Sequence, residues 1–418
     1  MGTINKNHLQ HLAKYRTNGF SLIEMMIAVV IGLFMLASLV SLFTNFSSMN
    51  RAQSGLARIQ ENGRFIAARM KIDIENVGFQ PCATVSMDSP QLINRGFAKR
   101  PIINFTNLSN GLPTGVIDPQ YFIQGHECNG SGTCSPALGI FPGGDPTEFI
   151  PEAGTTVGSR AYKTDVLTVR YLASEPAYVD DSISPSTTSQ FTLSQSATTY
   201  PLSLESGNKV LVANCHNSII INAQPGNGSK VVVTSPDASV TWASKPNFTS
   251  VYNFTKQFKT VSYYVGFKQS PENQSSIISS LFRIENGNTP QEVVAGVERF
   301  DLTYGVQFVD GTMAYLTADQ VQNAAISTCT VEPIVPPDFG IPPLANGIGC
   351  LWRSVFAVKL NVLLNTVYNS STSDSEKFVY SSDGPAEQLP NSLPSEIDAG
   401  RMYRKEFTKT IALKSNNL

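Results

Sequence analysis

The sequence has little charge and few histidines for its length. Charged residues make up 15% of the 418 residues, and only four histidines occur. The sequence also lacks a nucleophile elbow, a phosphate loop, a zinc-protease helix and a dinucleotide-binding fingerprint. These absences favour a structural protein over an enzyme, and they give no reason to expect a cofactor, a metal or nucleic-acid binding.

Proline is absent between Phe20 and Gln80, so the commonest helix breaker is missing from that segment. Its first part, Phe20 to Phe43, contains one charged residue, Glu24. At about 1.5 Å per residue, an apolar helix of this length can cross a hydrocarbon core of about 30 Å. The sequence therefore predicts a membrane helix over residues 20–43.

The segment after Phe43 predicts a continuation of the same helix. Its apolar and small residues alternate three and four apart, which is typical of one narrow helical stripe, and most charged residues lie off that stripe. Gly78 and Pro81 supply a stop signal. We therefore predict an amphipathic continuation over 44–80 and a helix of about 58 residues in total, roughly 87 Å long. The stripe consists of Met49, Ala52, Leu56, Ile59, Gly63, Ile66 and Met70.

The first 19 residues predict the orientation of this helix. Lys6, Lys14 and Arg16 occur there without any acidic residue, which by the positive-inside tendency keeps residues 1–19 cytoplasmic and the C-terminal bulk outside the inner membrane. An ordinary signal peptide is cut after its apolar segment. Here the only plausible cut lies before that segment, at Gly19.

The residues around this cut resemble a known signature. Gly19-Phe20-Ser21-Leu22-Ile23-Glu24 is similar to the prepilin motif of type IV pilins and type II secretion pseudopilins. The resemblance implies that a prepilin peptidase cuts after Gly19 and methylates the amine of Phe20. A solvent-exposed coiled-coil stalk would share the spacing of the stripe, but it would not explain a cut site.

Glu24 is a residue that a simple membrane anchor does not need. A charge in the apolar core costs about 2.5–3.5 kcal/mol by insertion scales, so an intramembrane carboxylate is expected to have a function and a partner. The resemblance implies that Glu24 pairs with the free amine of a neighbouring subunit in the filament. The alternative is a protonated or snorkelling Glu24 in a signal anchor.

The remainder of the chain predicts a β-rich head. Phe300, Leu302, Tyr304 and Val306 alternate with less apolar residues, a period of two that buries one face of a sheet. The fold class is therefore α+β and pilin-like: a long N-terminal helix followed by a large antiparallel head over 81–418. Similar alternation predicts strands at Leu167/Val169/Tyr171, Val261/Tyr263/Val265/Phe267 and Phe356/Val358/Leu360/Val362.

Shorter features complete the prediction for the head. Thr317 and Gln320 form a capping box that predicts a helix over Ala318–Ile326. Segments rich in Ser, Thr or Pro predict long loops. These loops are Asp181–Ser196, Pro333–Gly349 and Ser370–Glu396.

Three C-terminal segments carry a second resemblance. They are similar to successive C-terminal strands of PilW-type minor pilins, and less so to J-type pseudopilins, which are typically much shorter. The stretch from about 80 to 291 resembles nothing known to us. The three segments are Val293–Val306, Trp352–Leu364 and Tyr403–Asn416.

All six cysteines lie beyond the predicted helix, where an oxidising compartment favours disulfides. Six cysteines allow 15 pairings, and sequence alone does not choose among them. The candidate pairs are Cys128–Cys134, Cys329–Cys350 and Cys82–Cys215. A metal site that uses His126 and His216 beside Cys128 and Cys215 is a less favoured alternative.

Taken together, the resemblances imply a minor pilin that helps to initiate a type IV pilus and lies at or near its tip. The implied partners are the prepilin peptidase, other minor pilins, the major pilin, a large tip adhesin and the inner-membrane assembly platform. Two alternatives stay open. One is a pseudopilin of a type II secretion system, and the other is an exported enzyme or sugar-binding module on a pilin-like anchor.

Overall fold

A computed structural model describes most of the chain after the leader. The described residues are 19–77, 103–104, 122–138, 150–173, 175–180, 190–213, 218–233, 249–270, 276–308, 310–325, 349–371, 376–390 and 400–414.

The first element is helix α1, Leu22–Glu75, with 54 residues. It is shorter than predicted, because the chain leaves the helix in a turn in which the Val77 N–H donates to the Ile74 carbonyl (3.2 Å). The chain divides into two compact units, 1–54 and 55–418. The first unit contains the N-terminal part of α1, and the second contains the rest of α1 and the β-rich head.

The head is built from strands and short helices. Helix α2 is Phe254–Gln257 and helix α3 is Ala318–Gln322. The described strands are β1 (Ile103–Asn104), β2 (Ile123–Cys128), β3 (Cys134–Ser135), β4 (Val166–Leu172), β5 (Ala177–Tyr178), β6 (Gln190–Thr192), β7 (Asn208–Ala213), β8 (Ser218–Pro225), β9 (Lys230–Val233), β10 (Ser250–Asn253), β11 (Phe258–Gln269), β12 (Ile277–Glu285), β13 (Gln291–Ala295), β14 (Val297–Gln307), β15 (Met313–Leu316), β16 (Val355–Asn365), β17 (Phe378–Val379), β18 (Glu387–Gln388) and β19 (Arg404–Ala412).

Two antiparallel sheets form the main part of the head. The six-stranded sheet has the order β13-β12-β11-β4-β2-β3, and the four-stranded sheet has the order β15-β14-β16-β19. The predicted strands at β4, β11, β14 and β16 are all present. In β14 the alternation has the expected effect, because Phe300, Leu302, Tyr304 and Val306 are all buried. The α+β, pilin-like fold class is confirmed.

Between β4 and β11, the strands from β5 to β10 form a barrel. Its strands are hydrogen-bonded in the order β5-β10-β7-β8-β9-β6. The first strand also meets the last, because Val179 forms an antiparallel bridge with Leu193 and the Asp180 N–H donates to the Thr192 carbonyl (2.8 Å). The six strands therefore close on themselves, while β1 adds in parallel to one end of β8.

The barrel replaces the turn of a β-hairpin. Leu172 of β4 pairs with Phe258 of β11, and the Ala173 N–H donates to the Gln257 carbonyl (2.9 Å). The two ends of the insert are thus adjacent. The chain can leave the six-stranded sheet, form the barrel and return without disturbing the pairing of β4 with β11.

The barrel has its own apolar core and shares one wall with the head. Val210 and Val212 of β7 belong to the barrel core, whereas Leu211 between them belongs to the core of the main sheets. In β10, Val251 belongs to the barrel core and Tyr252 belongs to the core of the main sheets. Because successive side chains of a strand point to opposite faces, β7 and β10 each contribute to both cores.

Part of α1 packs against both main sheets within the second unit. Ile59, Ile66, Met70 and Ile74 are almost fully buried and join the core formed by the two sheets. Gly63 is required by this close approach, since a Cβ at that position would lie 2.6 Å from the Phe407 ring.

Three details differ from the sequence prediction, one of them the predicted loop over 370–396, in which the short strands β17 and β18 pair. Helix α3 has the predicted capping box at Thr317 and Gln320, but it ends at Gln322 rather than at residue 326, because the Gln322 carbonyl accepts a bond from the Gly349 N–H (2.9 Å). The predicted loop over 181–196 is wrong at its C-terminal end, where β6 pairs with β9.

Candidate assembly site

The predicted processing site lies just before α1. A Cβ placed on Gly19 would have no neighbour within 4 Å, and the Phe20 side chain is 84% exposed. The helix begins at Leu22. Within the described part of the chain, the peptide bond after Gly19 is therefore open to a peptidase.

Glu24 lies in the first turn of α1 and is exposed. No described residue forms an ion pair with it. A carboxylate is favoured there by the partial positive charge of the helix N-terminus. Glu24 is therefore free to bind a cationic group from another molecule.

The N-terminal part of α1 presents an apolar surface. Every side chain from Phe20 to Phe46 is exposed. Among the described residues, α1 is the one helix that is long and apolar enough to cross a membrane, judged by length and composition.

A buried ionic cluster fixes the C-terminal part of α1 to the six-stranded sheet. The Asp73 carboxylate accepts bonds from Tyr171 of β4 (2.5 Å), from Tyr263 of β11 and from the Arg283 Nε of β12 (2.8 Å). Arg69, one turn earlier, lies 3.9 Å from the same carboxylate. Three strands thus converge on one helical residue, which defines how α1 is rotated and translated on the sheet.

The electrostatics of this cluster favour an ionised carboxylate. Burial by itself raises the pKa of Asp73, but the bonds from Arg283, Tyr171 and Tyr263 outweigh burial, so the pKa lies below its ordinary value. Burial and the neighbouring carboxylate both raise the pKa of the two tyrosines. At neutral pH the cluster therefore consists of a carboxylate, a guanidinium and two neutral phenols.

A second buried ion pair crosses the four-stranded sheet. The Arg404 Nε of β19 donates to Glu298 of β14 (2.8 Å), and Asn365 of the intervening β16 donates to the same carboxylate (2.6 Å). The Glu298 and Arg404 side chains are almost completely buried. The contact spans three neighbouring strands and is satisfied only in one register.

Neither of these two ionic contacts was predicted from the sequence. Asp73 carried a usable signal, because it continues the alternation of Ile66 and Met70 and is therefore a charged residue on the buried stripe. Its main partner, Arg283, is 210 positions away, and no local pattern connects the two.

Cys128 and Cys134 are joined by a disulfide between the paired ends of β2 and β3. The hairpin is also stabilised by a bond from the Cys128 N–H to Asp165 (3.2 Å) and by a bond from Arg160 to the Gly132 carbonyl (3.0 Å). This disulfide therefore closes a loop whose backbone is already well bonded.

The other cysteine predictions lie mostly outside the described residues. Cys82, Cys215 and Cys329 are not among them, and Cys350 begins a short 3-10 helix, Cys350–Ser354. His126 contacts the Pro136 carbonyl through Nδ1 (2.7 Å). In the described part of the chain, no three His, Cys, Asp or Glu side chains are grouped so that they could hold a metal ion.

The sequence matches two family models. Residues 262–415 match PilW, the type IV pilus-assembly protein W, and residues 14–40 match the prokaryotic N-terminal methylation motif. No curated protein and no solved structure matches the chain.

The two matches coincide with distinct parts of the structure. The first covers most of β11 and all strands from β12 to β19, including Arg283, Glu298 and Arg404, and the second covers Gly19 and Glu24. Neither match includes the barrel. The resemblance to PilW-type minor pilins is confirmed, and the matches support a pilin related to the type IV pilus that is processed by prepilin peptidase and anchored by its N-terminal helix.

Proposed function

We propose that this protein is a structural minor pilin that helps to initiate assembly of a type IV pilus and remains at or near its tip. The observation that carries the proposal is the combination of a methylation motif on an exposed apolar helix with a PilW-like C-terminal sheet. Its partners would be other minor pilins, the major pilin, a large tip adhesin, the prepilin peptidase and the inner-membrane assembly platform.

The proposed life cycle begins in the inner membrane. Residues 1–19 are the cytoplasmic leader, residues 20–43 span the membrane, the helix continues from residue 44 to its end at Glu75, and residues 81–418 are periplasmic until assembly. Cleavage after Gly19 yields a methylated Phe20, and Glu24 then pairs with the amine of a neighbouring subunit. The open backbone at Gly19 and the unpaired carboxylate of Glu24 support these steps.

The processing step is tested at Gly19. Gly19→Val should leave an unprocessed precursor in the membrane, because a side chain there would obstruct the peptidase. Mass spectrometry of the wild-type protein should show a mature chain that begins with N-methylated Phe20. A different N-terminus would refute the prepilin assignment.

The assembly step is tested at Glu24. Glu24→Ala should be cleaved normally and yet enter filaments poorly, because a buried amine without its counter-charge costs several kcal/mol. Glu61→Ala is a matched control, since it removes an exposed carboxylate from the same helix. Normal piliation of the Glu24 variant would show that this carboxylate has no role in assembly.

The position at the tip is supported by the size of the head. Compact-domain scaling for the residues after Gln80 gives a head of about 50 Å across, which includes a barrel inserted between β4 and β11. A head of that size is difficult to repeat along a shaft, whereas a terminal subunit has neighbours on one side only.

Labelled antibody against residues 82–418 should therefore mark filament ends. Deletion of the gene should lower pilus number more than pilus thickness. Uniform labelling along the shaft would make this a bulk subunit instead.

A further inference from the structure

The last described strand of the head, β19, is a long edge strand. The edges of the two main sheets are β3, β13, β15 and β19. The first three contain two, five and four residues, whereas β19 contains nine residues, has no proline and pairs with β16 without a bulge. Edge strands are usually short, bulged, covered or interrupted by proline, because their free backbone groups can bind another strand. Among the described edges of these sheets, β19 offers the longest backbone for such binding.

The hydrogen bonds of β19 show which of its backbone groups point outward. The Leu413 N–H, just after β19, donates to the Phe356 carbonyl of β16 (2.9 Å). In an antiparallel pair, bonded positions alternate along the strand, so the odd-numbered residues of β19 bond to β16. The N–H and carbonyl groups of Thr408 and Thr410 consequently face away from the sheet. Both residues are exposed, and no described residue bonds to these backbone groups.

The side chains along this edge carry positive charge. Phe407 lies against Gly63 of α1 on one face of the strand. Lys405 and Lys409, two positions before and after Phe407, share that face because side chains alternate along a strand. Both lysines are exposed, and neither forms an ion pair with a described residue. The edge therefore presents two cationic positions with an apolar position between them.

We infer that β19 binds an extended strand of a different protein, which adds to the four-stranded sheet. The backbone of that strand bonds to the outward groups of Thr408 and Thr410. Its side chains opposite the two lysines are Asp or Glu, and the residue between them, opposite Phe407, is apolar. The partner thus carries the pattern acidic-x-apolar-x-acidic. The inference rests on the proposed function, because the head meets such a partner among the other components of the pilus.

A second copy of the chain does not fit this edge. Two β19 strands that pair antiparallel about Phe407 place Lys405 of one copy opposite Lys409 of the other. Like charges directly opposite each other destabilise a pair of strands. The two lysines that disfavour a second copy attract an acidic strand.

The contact can be tested by photo-crosslinking of the full-length chain in intact cells. A photoreactive residue at Thr410 should form an adduct with one other protein, and the linked peptide should contain the acidic-x-apolar-x-acidic pattern. The same residue at Thr312, an exposed threonine just before β15 of the same sheet, should not form that adduct. An adduct with a second copy of the chain, an adduct with a peptide that lacks the pattern, or no adduct would overturn the inference.

Proline substitution tests whether the contact uses the backbone. Thr408→Pro removes an outward N–H and no bond to β16, so the sheet should still form, while loss of one hydrogen bond to the partner should lower the adduct yield at Thr410 about tenfold. Thr408→Val is the matched control, because it keeps the N–H and a branched side chain. Urea unfolding of each detergent-solubilised variant verifies that the head is folded. Equal yields in two folded variants would refute strand addition.

Charge reversal tests the chemistry of the partner and leaves the backbone of β19 unchanged. Lys405→Glu with Lys409→Glu should lower the yield of the adduct about tenfold. Lys230→Glu, at an exposed lysine of the barrel, should not change it. Introduction of Lys at the partner's acidic positions should restore the yield in the double variant. A yield that does not respond to these charges would refute an acidic partner.

Failure of this inference can be separated from failure of the proposed function. Methylation of Phe20 and antibody labelling of filament ends do not depend on the edge of β19. If both hold while Thr410 forms no adduct, strand addition alone is wrong.

Discussion

The C-terminal sheet and the inserted barrel are both antiparallel, but they are stabilised differently. In the sheet, Glu298, Asn365 and Arg404 join three strands through a buried ion pair. In the barrel no described ion pair is buried: an apolar core is accompanied by the neutral pair Asn253 and Asn208, and the ion pair between Lys256 and Glu205 is exposed. Apolar packing tolerates changes of similar volume, whereas a buried ion pair requires both partners in place.

The difference corresponds to the extent of the family match. The PilW match includes the sheet with its ion pair and Arg283 of the Asp73 cluster, and it omits the barrel. Specific buried charges thus occur where the head must hold α1 and keep its strand register. The barrel enlarges the head without taking part in those contacts.

The largest expected effect is the loss of the Asp73 cluster. Asp73→Ala leaves the buried hydroxyls of Tyr171 and Tyr263 without an acceptor and leaves Arg283 with Glu285 as its remaining carboxylate partner. This loss should cost about 3–5 kcal/mol of the free energy of unfolding. Urea unfolding of the detergent-solubilised full chain measures this loss. Glu61→Ala, which removes an exposed carboxylate from the same helix, should change little. Equal stabilities of the two variants would show that the cluster does not hold α1.

A pair of identical core substitutions sharpens the comparison of the two regions. Leu202→Ala in the barrel and Leu360→Ala in the four-stranded sheet each create a cavity that should cost about 2–5 kcal/mol locally. Both leucines are almost fully buried. Hydrogen exchange should rise only within 173–257 for the first variant and throughout the head for the second. Global loss of protection in both variants would show that the barrel and the sheets unfold as one.

The smallest expected effect is on the pH dependence of the main sheets. The pKa of Asp73 is below its ordinary value of 3.8, so its contribution is present above that value and is lost as the pH falls through the folded-state pKa. Burial and the charge of Asp301 raise the pKa of Asp165, so its contribution is present in acid and is lost as the pH rises.

The two substitutions should therefore change the acid response in opposite directions. Between about pH 6 and pH 3, Asp73→Asn should reduce the loss of stability on acidification, and Asp165→Asn should increase it. Urea unfolding at each pH measures both slopes. The exchange protection of the barrel amides should change less with pH than that of the sheets. Equal slopes in the two variants would contradict these assignments.

Much of the fold could be predicted from the sequence where burial is one-sided. The alternation in β14 and the part of the α1 stripe from Ile59 to Met70 correspond to a buried face, whereas Met49 and Leu56 of the same predicted stripe are exposed. Thr317 with Gln320 marked the start of α3. The end of α3 could not be predicted, because the Gln322 carbonyl binds Gly349, which is distant in sequence.

The barrel and the ionic clusters were harder to predict, for different physical reasons. β6 contributes mainly Phe191 to the barrel core. A strand this short, among Ser and Thr residues, does not show the alternation of apolar and polar residues by which strands are predicted. Asp73 was visible as a charge on a buried stripe, but its partners depend on strand pairing. By contrast, Gly19, Phe20 and Glu24 were predicted from the local motif, and they lie within the match over 14–40.

The adjacency of Ala173 and Gln257 has a consequence for the order of folding. Pairing β4 with β11 directly would require closure of a long unfolded loop, and loop closure costs entropy that grows with length. If the barrel forms first, its own strands bring these two residues together, and the hairpin can then close between ends that already meet. The six-stranded sheet would thus form after the barrel. Slow folding of the barrel would then delay the packing of α1 on that sheet.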